Sequence, residues 1–187
     1  MIEGVAVPAK EKLVSLFEPQ TQIIKRGKAG REVEFGRKVW LDEVEGGIIS
    51  RYEVLAEPGQ DYAYLEGSLA GHRERFGKAP RLLAADRGVS SPGNEALAKE
   101  AGVKRVAIPY AGKAPPERRK QERERWFVRG YRFRAGIEGR ISVLKRRYGL
   151  GRCLAHGEEG LGRWVGWGIV TANLVQIARS QAAGQAK

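Results

Sequence analysis

Between Val33 and Leu55 the chain alternates apolar and polar residues. "VEFGRKVWL" (33–41) places Phe35, Val39 and Leu41 on alternate positions, "EVEGG" supplies a turn, and "IISRYEVL" (48–55) resumes the apolar pattern. Two such runs around a Gly-Gly turn predict an antiparallel hairpin. Upstream, "KLVSLF" (12–17), bounded by Pro19, predicts a short strand, and "KRGKAGR" (25–31) a glycine-rich basic loop. After the break at "EPGQ" the period changes. Tyr62, Leu65, Leu69 and Phe76 recur at helical spacings, so an amphipathic helix is expected, with Asp61 near its N-cap and Pro80 beyond its end. "RLLAA", ending at Asp86, is a short and wholly apolar run, the pattern of a strand buried on both faces. "SSPGNEALAKEAG" predicts a capped helix closing at Gly102, and "VKRVAIP" a second buried strand. The tract "PPERRKQERER" (115–125) opens a long helix, with Pro116 and Glu117 suited to its first turn. A glycine-rich loop at 149–151 then leads to "WVGWGIVTANLVQIA", a core helix in which Trp164 and Trp167 are expected to be buried. The order is β-β-α-β-α-β followed by helix, an α/β chain.

With 187 residues, 42% of them apolar, the chain has the material for one domain with a real core. Its 34 Lys and Arg against 22 Asp and Glu give a net charge of +12, which favours a polyanionic partner, nucleic acid first. The single cysteine, Cys153, excludes an internal disulfide and a cysteine zinc cluster. His72 and His156 are too distant in sequence for a metal motif, and each is expected at the surface or in a loop. The first residues lack the basic-then-apolar pattern of a signal peptide. The final apolar run is shorter than the ~20 residues of a membrane span and contains Asn173 and Gln176. A soluble, cytoplasmic, nucleoid-associated protein with no membrane partner is the expectation.

The charge is densest where acids are scarcest. Between Trp126 and Gly157 the one carboxylate is Glu138, set among Arg129, Arg132, Arg134, Arg140, Lys145, Arg146, Arg147 and Arg152. On a helix, Tyr131, Glu138 and Lys145 fall seven residues apart and Arg134 four before Glu138, so all four share one stripe. Taken alone, this stripe is ordinary i,i+4 ion pairing worth ~0.2–0.5 kcal/mol. Asp86 changes the weighing. A carboxylate at the end of a buried strand stands where open α/β sheets gather their chemistry. Carboxylate oxygens hold Mg²⁺ or Mn²⁺, and such ions promote in-line attack on a phosphodiester.

These residues resemble the bacterial insertion-sequence transposases of the DDE class. Tyr131, Arg134, Glu138 and Lys145 match the family's Y-x2-R-x3-E-x6-K signature at every spacing. "LLAADRG" looks like its second-Asp motif, and "EFGRKVWLDEVEGGII" like its second and third strands. "GLGRCLAHGEEGLGRWVGWGIVTANL" is similar to the C-terminal end of one subgroup. The resemblance implies an RNase H-like mixed sheet flanked by helices. Residues 1–187 would form a single catalytic domain, and 116–187 its C-terminal helical part carrying the Glu motif. It also implies that Asp86 and Glu138 are catalytic metal ligands for Mg²⁺ or Mn²⁺, and that Tyr131, Arg134 and Lys145 contact DNA. Arg140 and Arg146 join this DNA-facing set, and Lys25, Arg26 and Lys28 could add phosphate contacts.

The family uses three acids, the first in an Asp-Thr-Thr-like motif that this chain lacks. Its other aspartates are Asp61, expected to cap a helix, and Asp42, expected at the hairpin turn. The chain is therefore expected to be the C-terminal portion of a transposase, lacking the first strand. It should have little strand-transfer activity alone and pair with element-end and target DNA, with itself, or with full-length transposase. The alternative is a non-catalytic DNA-binding remnant or transposition inhibitor; a third reading lets Asp42 replace the missing acid. Trp126 fits either a core position or a base-stacking one.

Overall fold

The computed structural model describes residues 12–28, 31–56 and 60–185, with side chains from 25 to 32 left out. Two antiparallel hairpins come first. β1 (Gln22–Lys28) pairs with β2 (Arg31–Gly36), and β3 (Val39–Val44) with β4 (Ile48–Val54). The apolar alternation from Val33 thus belongs to two hairpins, because the chain leaves the ladder at Arg37 and Lys38. In the segment 25–31, expected as a loop, the described residues 25–28 and 31 are strand. "KLVSLF" forms no strand: Leu16 and Phe17 are exposed, and no ladder partner is available to it among the described residues.

Both faces of the β3–β4 hairpin are covered, and the two-residue period sorts its side chains. Val39 and Leu41 pack into a cluster with Ile49, Leu144, Val165 and Ile169. Trp40 points the other way, onto the cluster of Leu65, Leu69, Val106 and Ile108. Asp42 lies inside β3 opposite Arg51, not at the turn. Its carboxylate accepts hydrogen bonds from the Trp40 indole N–H (2.9 Å), the Ser68 hydroxyl (2.7 Å) and Arg51 (3.4 Å).

A 3₁₀ turn (Asp61–Tyr64) leads into α1 (Leu65–Phe76). Asp61 does not cap it: Tyr64 holds that position, Gln60 caps the 3₁₀ turn, and the Asp61 carboxylate pairs with Lys38. His72, on α1 and not in a loop, stacks against Phe76 with ring centroids 4.5 Å apart. Burial holds its pKa below the ordinary 6.5, Asp42 pulling it back up and Lys78 pushing it down. A histidine that resists protonation when folded favours the unfolded chain once pH falls through its unfolded value. Stability should therefore be fully present above about pH 6.5 and decline below it. His72→Asn should flatten that decline in thermal melts across the same range.

β5 (Leu82–Ala84) and β6 (Arg105–Ala107) form a parallel pair joined through α2 (Pro92–Glu100), whose Ser91 N-cap accepts the Asn94 N–H at 3.0 Å. The charged tract makes two helices: α3 (Pro116–Glu122) and α4 (Arg125–Arg147), separated where Glu124 turns extended at ψ 144°. Gly130 and Gly136 do not interrupt α4. Gly130 is needed for the fit, since a Cβ there would come within 2.9 Å of Ala107 and 3.1 Å of Leu82. This close approach seats α4 across both parallel strands.

α5 (Gly157–Gln185) closes the fold against β4. Asn173 pairs with Ile49 as a neighbouring strand would, accepting its N–H (3.0 Å) and donating to its C=O (2.9 Å). Gln176 donates to the Gly46 carbonyl. The two amides that marked this helix as unsuited to lipid thus serve the hairpin's backbone. Trp167, expected in the core, is 71% exposed, while Trp164 is partly buried and donates to the Gly149 carbonyl. Among the described residues no helix is long and apolar enough to cross a membrane.

Candidate nucleic-acid and metal-binding site

β5 ends at Ala84, and two residues later Asp86 caps a short 3₁₀ turn (Arg87–Val89), accepting the Arg87 N–H on Oδ1 at 2.7 Å. Its second oxygen, Oδ2, faces α4 and accepts from Arg134 Nη2 at 2.9 Å. The same guanidinium donates through Nη1 to Glu138 Oε1 at 3.3 Å. One arginine therefore bridges the strand-end acid and the helix acid, 52 residues apart in the chain. The Arg134 side chain is 20% exposed, whereas those of Asp86 and Glu138 are 50% and 70% exposed. The acids stay open to solvent, and the cation between them is the covered member.

The expected stripe lies on one helix. Tyr131, Glu138 and Lys145 are all on α4 and exposed, with Arg134 half-buried beside them. Among the described residues Lys145 and Arg146 have no carboxylate partner, and Arg146 donates to the Ser142 carbonyl one turn back. Arg140 is placed differently. It donates to Glu43 from Nε (3.2 Å) and Nη2 (3.3 Å), and the Glu43 side chain is only 6% exposed. The turn folds over it: Gly47, at φ +76°, leaves room that a Cβ would take from the guanidinium at 2.2 Å. Arg140 thus braces α4 to the β3–β4 turn. Lys25, Arg26 and Lys28 are on β1, with side chains outside the described residues.

Hard oxygen donors on a strand end and a facing helix suit one divalent cation of the Mg²⁺ class, with water completing its shell. The present arrangement has positive charge at that place already, supplied by Arg134. Among the described residues no third His, Cys, Asp or Glu joins the two acids in a metal-holding group. Asp42 is engaged by Trp40, Ser68 and Arg51, and Asp61 by Lys38. His156, in the loop before α5, has its Nδ1 2.7 Å from Glu18 Oε1. That contact is the main reason the Glu18 carboxyl is held below its ordinary pKa.

A second basic feature escaped the sequence pattern. At the N-terminal end of α4, Arg105, Glu124, Arg125, Trp126 and Arg129 line an open groove of about 510 Å³. The Arg105 guanidinium lies over the Trp126 ring, 5.6 Å from its centroid. Arg105 comes from β6, so no spacing within α4 could reveal it.

The fold and site define a mixed α/β protein with a carboxylate–guanidinium–carboxylate cluster beside a basic helix. Comparison with protein-family models, curated proteins and solved structures returned no match.

Proposed function

We propose that this chain is a DNA-binding protein of the insertion-sequence DDE transposase type, with an RNase H-like arrangement of its α/β elements. The observation that carries the reading is the Arg134 bridge, which brings Asp86 and Glu138, the two acids of the sequence signature, into one cluster. The β3–β4 hairpin and the parallel β5–β6 pair support it, being strand pairs such a sheet would contain. Asp86 and Glu138 would hold Mg²⁺ or Mn²⁺. When bound, the ion would activate the attacking oxygen and stabilise the leaving one at a phosphodiester.

The chain's own residues do the positioning. Exposed Tyr131, Lys145 and Arg146 meet the DNA backbone along α4, and the two cations, without a carboxylate partner among the described residues, offset the charge of the acids. Arg134 is the hinge of the site. A DNA phosphate would draw its guanidinium from the carboxylates, leaving Asp86 and Glu138 the oxygens that would hold the ion.

Two carboxylates serve a two-metal reaction poorly, because both ions need flanking and bridging oxygens. The purified chain should therefore bind DNA and show little or no strand transfer. Duplexes copied from the DNA bordering the gene, incubated with Mn²⁺, test this. Retarded duplex with no cleaved or joined product is the expected result, and efficient cleavage would refute the two-acid account. Glu138→Ala separates the enzyme from the alternative, a non-catalytic binder or transposition inhibitor. That alternative is favoured by the bridge itself, which occupies both acids. For a binder, removing a charge that faces phosphate leaves affinity equal or higher. For an enzyme, whatever cleavage is measurable disappears.

A further inference from the structure

We propose that the groove at the N-terminal end of α4 binds an unpaired stretch of nucleic acid, with one base against Trp126 and the flanking phosphates on Arg105, Arg125 and Arg129. This does not rest on the metal-site reading. β5 and β6 run parallel, with Leu82 opposite Arg105, so Arg105 stands at the end of the pair remote from Asp86. Along α4, Trp126 and Glu138 are twelve residues apart, about 18 Å of helix. The groove and the acid cluster are separate places on the protein.

Its chemistry is unlike that of a merely solvated basic face. Arg105, Arg125 and Arg129 are exposed, and none has a carboxylate partner among the described residues. The one acid in the lining, Glu124, accepts the indole N–H of Trp126. That bond fixes the ring's edge, and Phe127 meets it edge-on with centroids 5.5 Å apart. The ring is thus held from its edge, and the Arg105 guanidinium lies over its face. An incoming base displaces that guanidinium from the ring, and Arg105 is left beside the phosphate. Three guanidiniums around one clamped aromatic face combine the two elements of single-strand binding, an electrostatic track and a stacking platform.

An acidic peptide would find the charge but little else. Trp126 is the sole apolar residue of the lining, and the adjoining pocket that shares Arg105 and Trp126 holds only about 160 Å³ beside Val103 and Val106, little room for a peptide's side chains. A duplex offers phosphates but keeps its base faces stacked on one another, out of reach of the indole. Unpaired nucleic acid uses the whole groove.

Fluorescence anisotropy of a labelled oligothymidylate, beside a blunt duplex, tests the proposal on the full chain. Trp126→Leu should weaken oligothymidylate binding about tenfold while leaving the duplex nearly unchanged, a loss within the range of one base–aromatic stack. Trp126→Phe should restore most of it. Arg125→Ala and Arg129→Ala should each lower the salt dependence of oligothymidylate binding by about 0.7. The oligothymidylate assay needs neither Mn²⁺ nor cleavage, so failure here and failure of the transposase reading are distinguishable. Equal losses for both DNAs, or none with Trp126→Leu, would overturn the proposal. So would displacement of the oligothymidylate by polyglutamate more readily than by unlabelled polythymidylate. If Trp126→Leu does not fold by circular dichroism, the exposed arginine variants decide, and unchanged salt slopes sink the idea.

Discussion

Arg140→Ala should destabilise the protein by about 3 kcal/mol, the scale on which stranding one member of a buried ion pair is felt. The reason is Glu43. Its side chain is 6% exposed, and both its oxygens accept from the Arg140 guanidinium. Without that partner a carboxylate is left in a half-closed space beneath the Gly46–Gly47 turn, where water reaches it poorly. Urea denaturation measures the loss. The double variant Glu43→Gln, Arg140→Met should recover most of it, since it removes the charge as well as its partner. A loss below about 1 kcal/mol, the value of an exposed pair, would show that Arg140 is a surface cation after all. The same variant bears on DNA. If Arg140 is a brace, a conservative change that keeps the fold should alter affinity little, whereas Lys145→Ala should weaken duplex binding.

The second large effect concerns the acid cluster. Asp86→Asn with Glu138→Gln should weaken Mn²⁺ binding about a hundredfold or more, because altering even the groups behind metal ligands costs 10- to 100-fold. Arg134→Ala should act in the opposite direction. Its guanidinium now holds one oxygen of each acid, and two partly exposed pairs are together worth roughly 1 kcal/mol. Removing it should tighten Mn²⁺ binding roughly fivefold, read by calorimetry on the DNA-free protein. DNA affinity should fall in the same variant. A parallel fall in Mn²⁺ affinity would mean that Arg134 positions the acids for the ion and does not compete with it.

How the two acids come together was only half legible beforehand. The spacing of Arg134 and Glu138 placed them one helical turn apart, and they pair at 3.3 Å. The apolar run ending at Asp86 marked a strand end, and β5 ends two residues before it, at Ala84. That the same guanidinium reaches both required α4 to cross β5 closely, which depends on Gly130 lying against Ala107 and Leu82. No one-dimensional pattern encodes that distance. The differences elsewhere have a similar origin. Arg140 shares a face with other cations in sequence but meets Glu43, an acid 97 residues away. Trp167 occurs in the most apolar run, yet α5 turns Val165, Gly168 and Ile169 inward and leaves it outside. "KLVSLF" had strand composition but pairs with none of the described strands.

What the sequence alone determined is the set of elements and the chemistry each carries: the β3–β4 hairpin, the two short apolar strands, the basic α4, and a lone glutamate at a fixed spacing from an arginine and a lysine. Those features follow from local periodicity and composition, which act over a few residues. What only the tertiary structure decided is partnership. Charge and apolar surface are satisfied by whichever groups the packing brings near, so identical arginines became a bridge at 134, a brace at 140 and a stacked cation at 105.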